Sequence, residues 1–153
     1  MNKLRVAKKS LYEIEVNDAG ETIGFNIEDP SLPLRAERAY EEVNKIADRC
    51  KMEIALIHKQ EDKKVKGAML SNNGRKELEA YNKMYQDMRK AMDGFLGEGA
   101  CQKIFGDTDY LTMYDELFEA LKPHLEAIGL TAESFKESIK KKYGAEDEAT
   151  LEA

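Results

Sequence analysis

The apolar residues change rhythm once, at the stretch EDPSLP (28–33). Before it, over residues 11–28, Tyr12, Ile14 and Val16 alternate with Glu13, Glu15 and Asn17, and Ile23, Phe25 and Ile27 alternate with Gly24, Asn26 and Glu28. After it, from Leu34 onward, apolar residues recur three and four apart. A period of two puts every second side chain on one face of a strand. A spacing of three to four puts them on one stripe of a helix. The chain is therefore committed to a β-hairpin followed only by helices. Between the two strand runs, NDAGE supplies a turn in which Gly20 can adopt positive φ without steric cost. Pairing Val16 with Ile23, Ile14 with Phe25 and Tyr12 with Ile27 gathers all six apolar side chains on one face. A lone hairpin is marginal in water, so that face must rest on helices or on another chain.

Asp29 can cap the helix that follows, and Pro30 or Pro33 suits its first turn. Ala36, Ala39/Tyr40, Val43, Ile46/Ala47, Cys50, Ile54 and Ile57 trace one long stripe. Arg38/Glu42, Glu41/Lys45 and Arg49/Glu53 stand four apart on the remaining surface, a spacing that supports a helix. Gly67 or SNNG (71–74) is expected to end this segment. In the second long helix, Leu78, Tyr81, Tyr85, Met88, Met92 and Phe95 form a heptad seam that GFLGEG (94–99) is expected to break. A short helix over 100–105 stops at Gly106. Asp107, Thr108 or Asp109 then caps a helix over 110–128 with Leu111, Tyr114, Leu117/Phe118, Leu121, Leu125 and Ile128 on its stripe. Pro123 should kink that helix, because proline lacks the amide that would bond the Glu119 carbonyl. Gly129 should end it, and Thr131 should start a last helix bearing Phe135, Ile139 and Tyr143. The fold class expected is mostly α with an N-terminal β-hairpin: a long helical hairpin plus three shorter C-terminal helices. A single domain over 1–144 (hairpin 11–28, helices 30–143) would precede an acidic, disordered tail over 145–153.

Charge narrows the function. The net charge is −6, and setting aside the tail's acids Glu146, Asp147, Glu148 and Glu152 leaves −2 for the rest. Without a basic surplus there is no electrostatic footprint for nucleic acid. No apolar run approaches the roughly 20 residues that cross a bilayer. The basic start MNKLRVAKKS lacks the apolar core of a secretion signal. A cytoplasmic protein is expected. Cys50 and Cys101 read as buried, reduced thiols.

Familiar patterns of catalytic and ligand-binding residues do not fit this sequence. His58 and His124 have no Cys, His or carboxylate at a metal-ligand spacing, and there is neither HExxH nor CxxC. DTDYLTMYDELF from Asp107 fails as a calcium loop, with Thr112 where glycine belongs and Phe118 where glutamate belongs. GFLGEG follows a helix and inverts the glycine order of a dinucleotide site. The expectation is no enzyme, no metal and no cofactor. Met84, Met88 and Met92 lie on or beside the second helix's seam, and methionine and tyrosine are adaptable packing residues. The two long helices differ in length, so apolar surface on the longer needs other cover.

Two segments together carry a resemblance: the hairpin running into FNIEDPSLPLRAERAYEEV, and ACQKIFGDTDYLTMYDELFEALKPHLE. The chain resembles, over nearly all but its acidic tail, the tail assembly chaperones encoded by long-tailed phages and prophages of Gram-positive bacteria. The resemblance implies a non-enzymatic role in the host cytoplasm, holding the tape-measure protein, and tail-tube subunits, soluble until the tube polymerises. No family site residue carries over. The residues themselves offer a protein-interaction surface: the seam Leu78, Tyr81, Tyr85, Met88, Met92 and Phe95, the aromatic corner Phe105, Tyr110 and Tyr114, and the free hairpin edge. Self-association through the helices is a further expectation. So is a frameshift-extended form if Lys140–Lys142 is written as a run of adenines. The competing reading is a minor structural protein of the virion, at the head–tail joint or in the tail, that oligomerises through its helices.

Overall fold

The structure is a computed structural model that describes residues 1–6 and 11–143, with the backbone alone beyond Ile128. It is mostly helical behind an N-terminal antiparallel hairpin: β1 (Leu11–Glu15), β2 (Thr22–Asn26), α1 (Leu32–His58), α2 (Asn72–Leu96), α3 (Ala100–Phe105) and α4 (Met113–Tyr143). The acidic tail lies outside the described residues. Within the expected domain the described residues form two compact units: one of residues 1–36 and 110–143, the other of Glu37–Asp109. Helix α1 runs unbroken through the boundary at Ala36.

In the first unit the hairpin keeps its expected apolar face but changes partners. Ile14 pairs with Ile23 and Tyr12 with Phe25, one pair away from the expected register. The turn is tighter than the pattern suggested. The Val16 amide donates to the Glu21 carbonyl and the Gly20 amide to the Asn17 carbonyl, with Gly20 at φ 80°. The Asn17 side chain also accepts the Glu21 amide at 3.1 Å, which fixes the turn at four residues. A shift by two leaves every side chain on its original face. Ile23 and Phe25 are accordingly buried. They share the unit's interior with Leu32 and Ala36 from the start of α1 and with Met113, Tyr114, Leu117, Leu121 and Ile128 of α4. Tyr12 fastens the hairpin to α4: its hydroxyl and His124 Nδ1 are 2.6 Å apart, with the rings edge-on at 5.4 Å.

Helix α4 starts later and continues further than its sequence signals imply. Asp107, Thr108 and Asp109 do not cap it. Their carboxylates go elsewhere: Asp107 accepts the Gln102 amide and Asp109 accepts Arg89. The first i+4 bond of the helix instead runs from the Glu116 amide to the Thr112 carbonyl, with Asp115 and Glu116 supplying acid to its first turn. Leu111, placed on the stripe by its spacing, lies before the helix and is exposed. Pro123 sits inside a continuous helix. Gly129 does not end it, and the expected pair of helices on either side of Gly129 is one. A glycine inside a helix costs about 1 kcal/mol relative to alanine, a cost and not a stop.

At the head of α1, Asp29 accepts both the amide and the hydroxyl of Ser31 and is ion-paired with Arg35. Ser31 then accepts the Arg35 amide as the helix opens. Asp62 holds the head of α2 in a related way, accepting the Asn73 amide at 3.0 Å. Hydrogen bonds from Ser31, with help from Arg35, hold the Asp29 carboxyl below its ordinary value, and bonds from Asn73 and Ser71 do the same for Asp62. A carboxyl whose pKa is lower in the fold binds its proton more readily once unfolded. The stability it contributes is complete above the unfolded value, near 4, and is lost as pH falls through the folded value. Urea midpoints should therefore hold steady down to about pH 5 and fall below about pH 4. Asp62→Asn should shrink that fall; an unchanged profile would show that Asp62 takes no part in it.

Candidate interaction surface

The second unit is a helical hairpin of α1 and α2 with α3 folded onto one end. The sequence SNNG opens α2 and does not end α1. Ser71 is the N-cap, its hydroxyl accepting the Gly74 amide at 3.0 Å. Asn73 follows inside the first turn, buried, and its side-chain amide donates to the carbonyls of Ile57 (3.2 Å) and Gln60 (2.9 Å). One asparagine thus satisfies carbonyls that the end of α1 leaves open. From there the helices run antiparallel: Glu77 bonds His58, and the Ala80 carbonyl accepts the Cys50 thiol. On the surface of α1, Arg49 pairs with Glu42 at 3.2 Å, two turns back, in place of the expected Glu53.

The α1 stripe is buried at Ala39, Val43, Ile46, Cys50 and Ile57, half-buried at Ala47 and Ile54, and exposed at Tyr40. The α2 seam divides along its length. Its C-terminal half, Met88, Met92 and Phe95, is buried, Met92 completely. Gly94 does not break the helix, which runs on to Leu96 and ends at Gly97. Its N-terminal half stays open, with Leu78 49% exposed, Tyr81 43% exposed and Tyr85 half-buried.

Helix α3 folds back onto the C-terminal part of α2. Gly99 and Gly106 bracket α3, and Gly106 at φ 63° turns the chain away after Phe105. The Asp93 carboxylate accepts the Cys101 amide at 2.8 Å, and the Cys101 thiol donates to the Arg89 carbonyl. Arg89 reaches the Asp109 carboxylate at 2.8 Å and the Thr108 carbonyl at 3.2 Å. Met92 and Cys101 are sealed in this end of the unit.

The aromatic corner does not form one surface within either unit. Phe105 is half-buried at the end of α3 in the second unit; Tyr110 and Tyr114 belong to the first. Tyr114 is buried, and the exposed Tyr110 donates its hydroxyl to Glu116 at 2.7 Å. Of the sequence-derived surface residues, the structure brings Leu78, Tyr81 and Tyr85 together on one accessible face and turns Met88, Met92, Phe95 and Tyr114 inward. Sequence reasoning missed Asn73, whose signal was the second of two asparagines after a serine cap, and missed that half of the seam is buried within the fold.

On the other side of the helical hairpin a shallow groove of ≈ 160 Å³ opens, with Ile46, Cys50, Ala80 and Met84 as its apolar floor and Arg49, Glu53, Lys83 and Asp87 around it. Among the described residues no group of His, Cys, Asp or Glu is arranged to hold a metal ion, and no helix is long and apolar enough to cross a membrane. Burial, reinforced by Asp93, pushes the Cys101 thiol up to about 12. Burial also raises Cys50. Since the thiolate is the reactive form, Cys101 in the native protein should resist iodoacetamide at pH 8 and react promptly in urea. Rapid native labelling of Cys101 would mean that α3 lifts off α2.

Compared with known protein families, curated proteins and solved structures, the chain matches none.

Proposed function

We propose that the chain is a non-enzymatic holding protein that binds an amphipathic partner, in the manner of a phage tail assembly chaperone keeping the tape-measure protein soluble before the tail tube polymerises. The observation that supports this reading is the face of α2 at Leu78, Tyr81 and Tyr85, which stays accessible while Met88, Met92 and Phe95 of the same seam are buried. Apolar faces of this type are what helix-in-groove recognition uses. On this reading the protein works in the host cytoplasm, without cofactor or metal, and self-association is secondary. Co-expression with the tape-measure product of the same tail region, followed by pull-down and sizing, tests it. A stable complex is expected, and a tape-measure protein that stays insoluble with the wild-type chain present would sink the reading. The same face would serve a minor virion protein that oligomerises through its helices. Mass spectrometry of purified particles separates the two, because a chaperone is missing from the finished particle.

A further inference from the structure

Of the two hairpin strands, β1 is the less covered. Ile23 and Phe25 of β2 are buried, whereas Tyr12 and Ile14 on the same apolar face are half-buried. Among the described residues the sheet has two strands, so the outer edge of β1 is open. The bond from the Val16 amide to the Glu21 carbonyl marks that pair as a bonded one. Bonded pairs alternate along an antiparallel ladder. Ile14 and Tyr12 therefore turn their backbone groups toward β2, while Glu13 and Glu15 turn theirs toward the open edge. The side chains of Glu13 and Glu15 stand exposed on the outward face, and neither is ion-paired among the described residues. The outward face of β2, formed by Thr22, Gly24 and Asn26, carries no charge.

The chain itself carries a segment of matching pattern. In NKLRV (2–6), Leu4 and Val6 alternate with Lys3 and Arg5, and there is no acid. Leu4 is 94% exposed and Val6 84% exposed, outside any strand. Laid antiparallel along β1 with Lys3 opposite Glu15 and Arg5 opposite Glu13, this segment sets Leu4 opposite Ile14 and Val6 opposite Tyr12. Two charge pairs then form on the outward face and two apolar pairs on the half-covered face. The bonded positions coincide with the backbone groups that Glu13 and Glu15 present. We infer that segment 1–6 of a second copy of this chain adds as a third strand to the open edge of β1, two chains exchanging these segments across a two-fold axis. Pairing β1 with β1 of a second copy would instead bring the glutamates of both together. Folding back onto its own β1 in the same register would leave Lys8, Lys9 and Ser10 as a three-residue loop, without the glycine that such loops use. Segment exchange does not depend on which partner protein the chain holds.

Sedimentation of the full chain over a range of concentrations tests this. The wild type should form a dimer whose population rises with concentration. Glu13→Lys with Glu15→Lys, and separately Lys3→Glu with Arg5→Glu, should each weaken the dimer at least about tenfold, because like charges then face each other across the added strand. All four residues are exposed, so the circular dichroism should not change. Mixing the two double variants should restore dimerisation, since each segment then meets an edge of opposite charge on the other chain. Leu4→Asp with Val6→Asp should abolish dimerisation, because it removes both apolar pairs. A wild type that stays monomeric at every concentration, or a dimer indifferent to any of these variants, would overturn the inference. So would double variants that fail to reassociate on mixing, which would mean that the segment pairs within its own chain or not at all.

Discussion

Met92→Ala should destabilise the protein by roughly 2–5 kcal/mol, the usual cost of emptying a filled core site. Met92 is 0% exposed, on the turn of α2 next to Asp93, which Cys101 of α3 bonds. The turn of α2 that carries it is tied to α3 by the bonds of Cys101 to Asp93 and Arg89, which resists collapse into the space left. The loss should appear as a lower urea midpoint with an unchanged slope. Tyr81→Ala, on the same seam but 43% exposed, should cost far less. Equal losses at the two positions would mean that the seam is covered along its whole length.

Asn73→Asp is the second large effect, a loss of about 2–4 kcal/mol against about 1–3 for Asn73→Ala. Alanine merely leaves the Ile57 and Gln60 carbonyls without the Asn73 amide. Aspartate puts a buried acceptor against two acceptors, and brings a second negative charge to the Asp62 carboxylate that receives the Asn73 backbone amide. The order of the two variants is the informative part. If Asn73→Ala proved as costly as Asn73→Asp, packing and not hydrogen bonding would be the role of this side chain. Chemical denaturation at neutral pH measures both.

The elements that were legible in the sequence are those where one local rule decides. The alternation over 11–27 gave the hairpin face, and three-and-four spacing gave the stripes of α1, α2 and α4. Gly106 ended α3 because its backbone turns to positive φ, which other residues resist. The misreadings came from signals that admit two outcomes. Ser71 followed by two asparagines and a glycine can close a helix or open one, and only the bond from Gly74 to Ser71 decides. Asp109 is a capping residue by type, but Arg89, twenty positions earlier, claims it. Gly94 and Gly129 weaken a helix without ending it when packing on either side is worth more than about 1 kcal/mol. The exposure of the α2 seam was half legible for the same reason. Heptad spacing picks out Leu78 through Phe95 as one seam, but does not say that Met88, Met92 and Phe95 are buried while Leu78 and Tyr81 stay open.

If the exposed face of α2 at Leu78, Tyr81 and Tyr85 seats a partner protein, hydrogen–deuterium exchange on the full chain, alone and in complex with the tape-measure product, should show it directly. Exchange should slow over 44–58 and 75–86 when the partner is present, with α3 and the hairpin unchanged. Protection confined to the hairpin or to α4, with those two stretches exchanging as they do in the free chain, would contradict it.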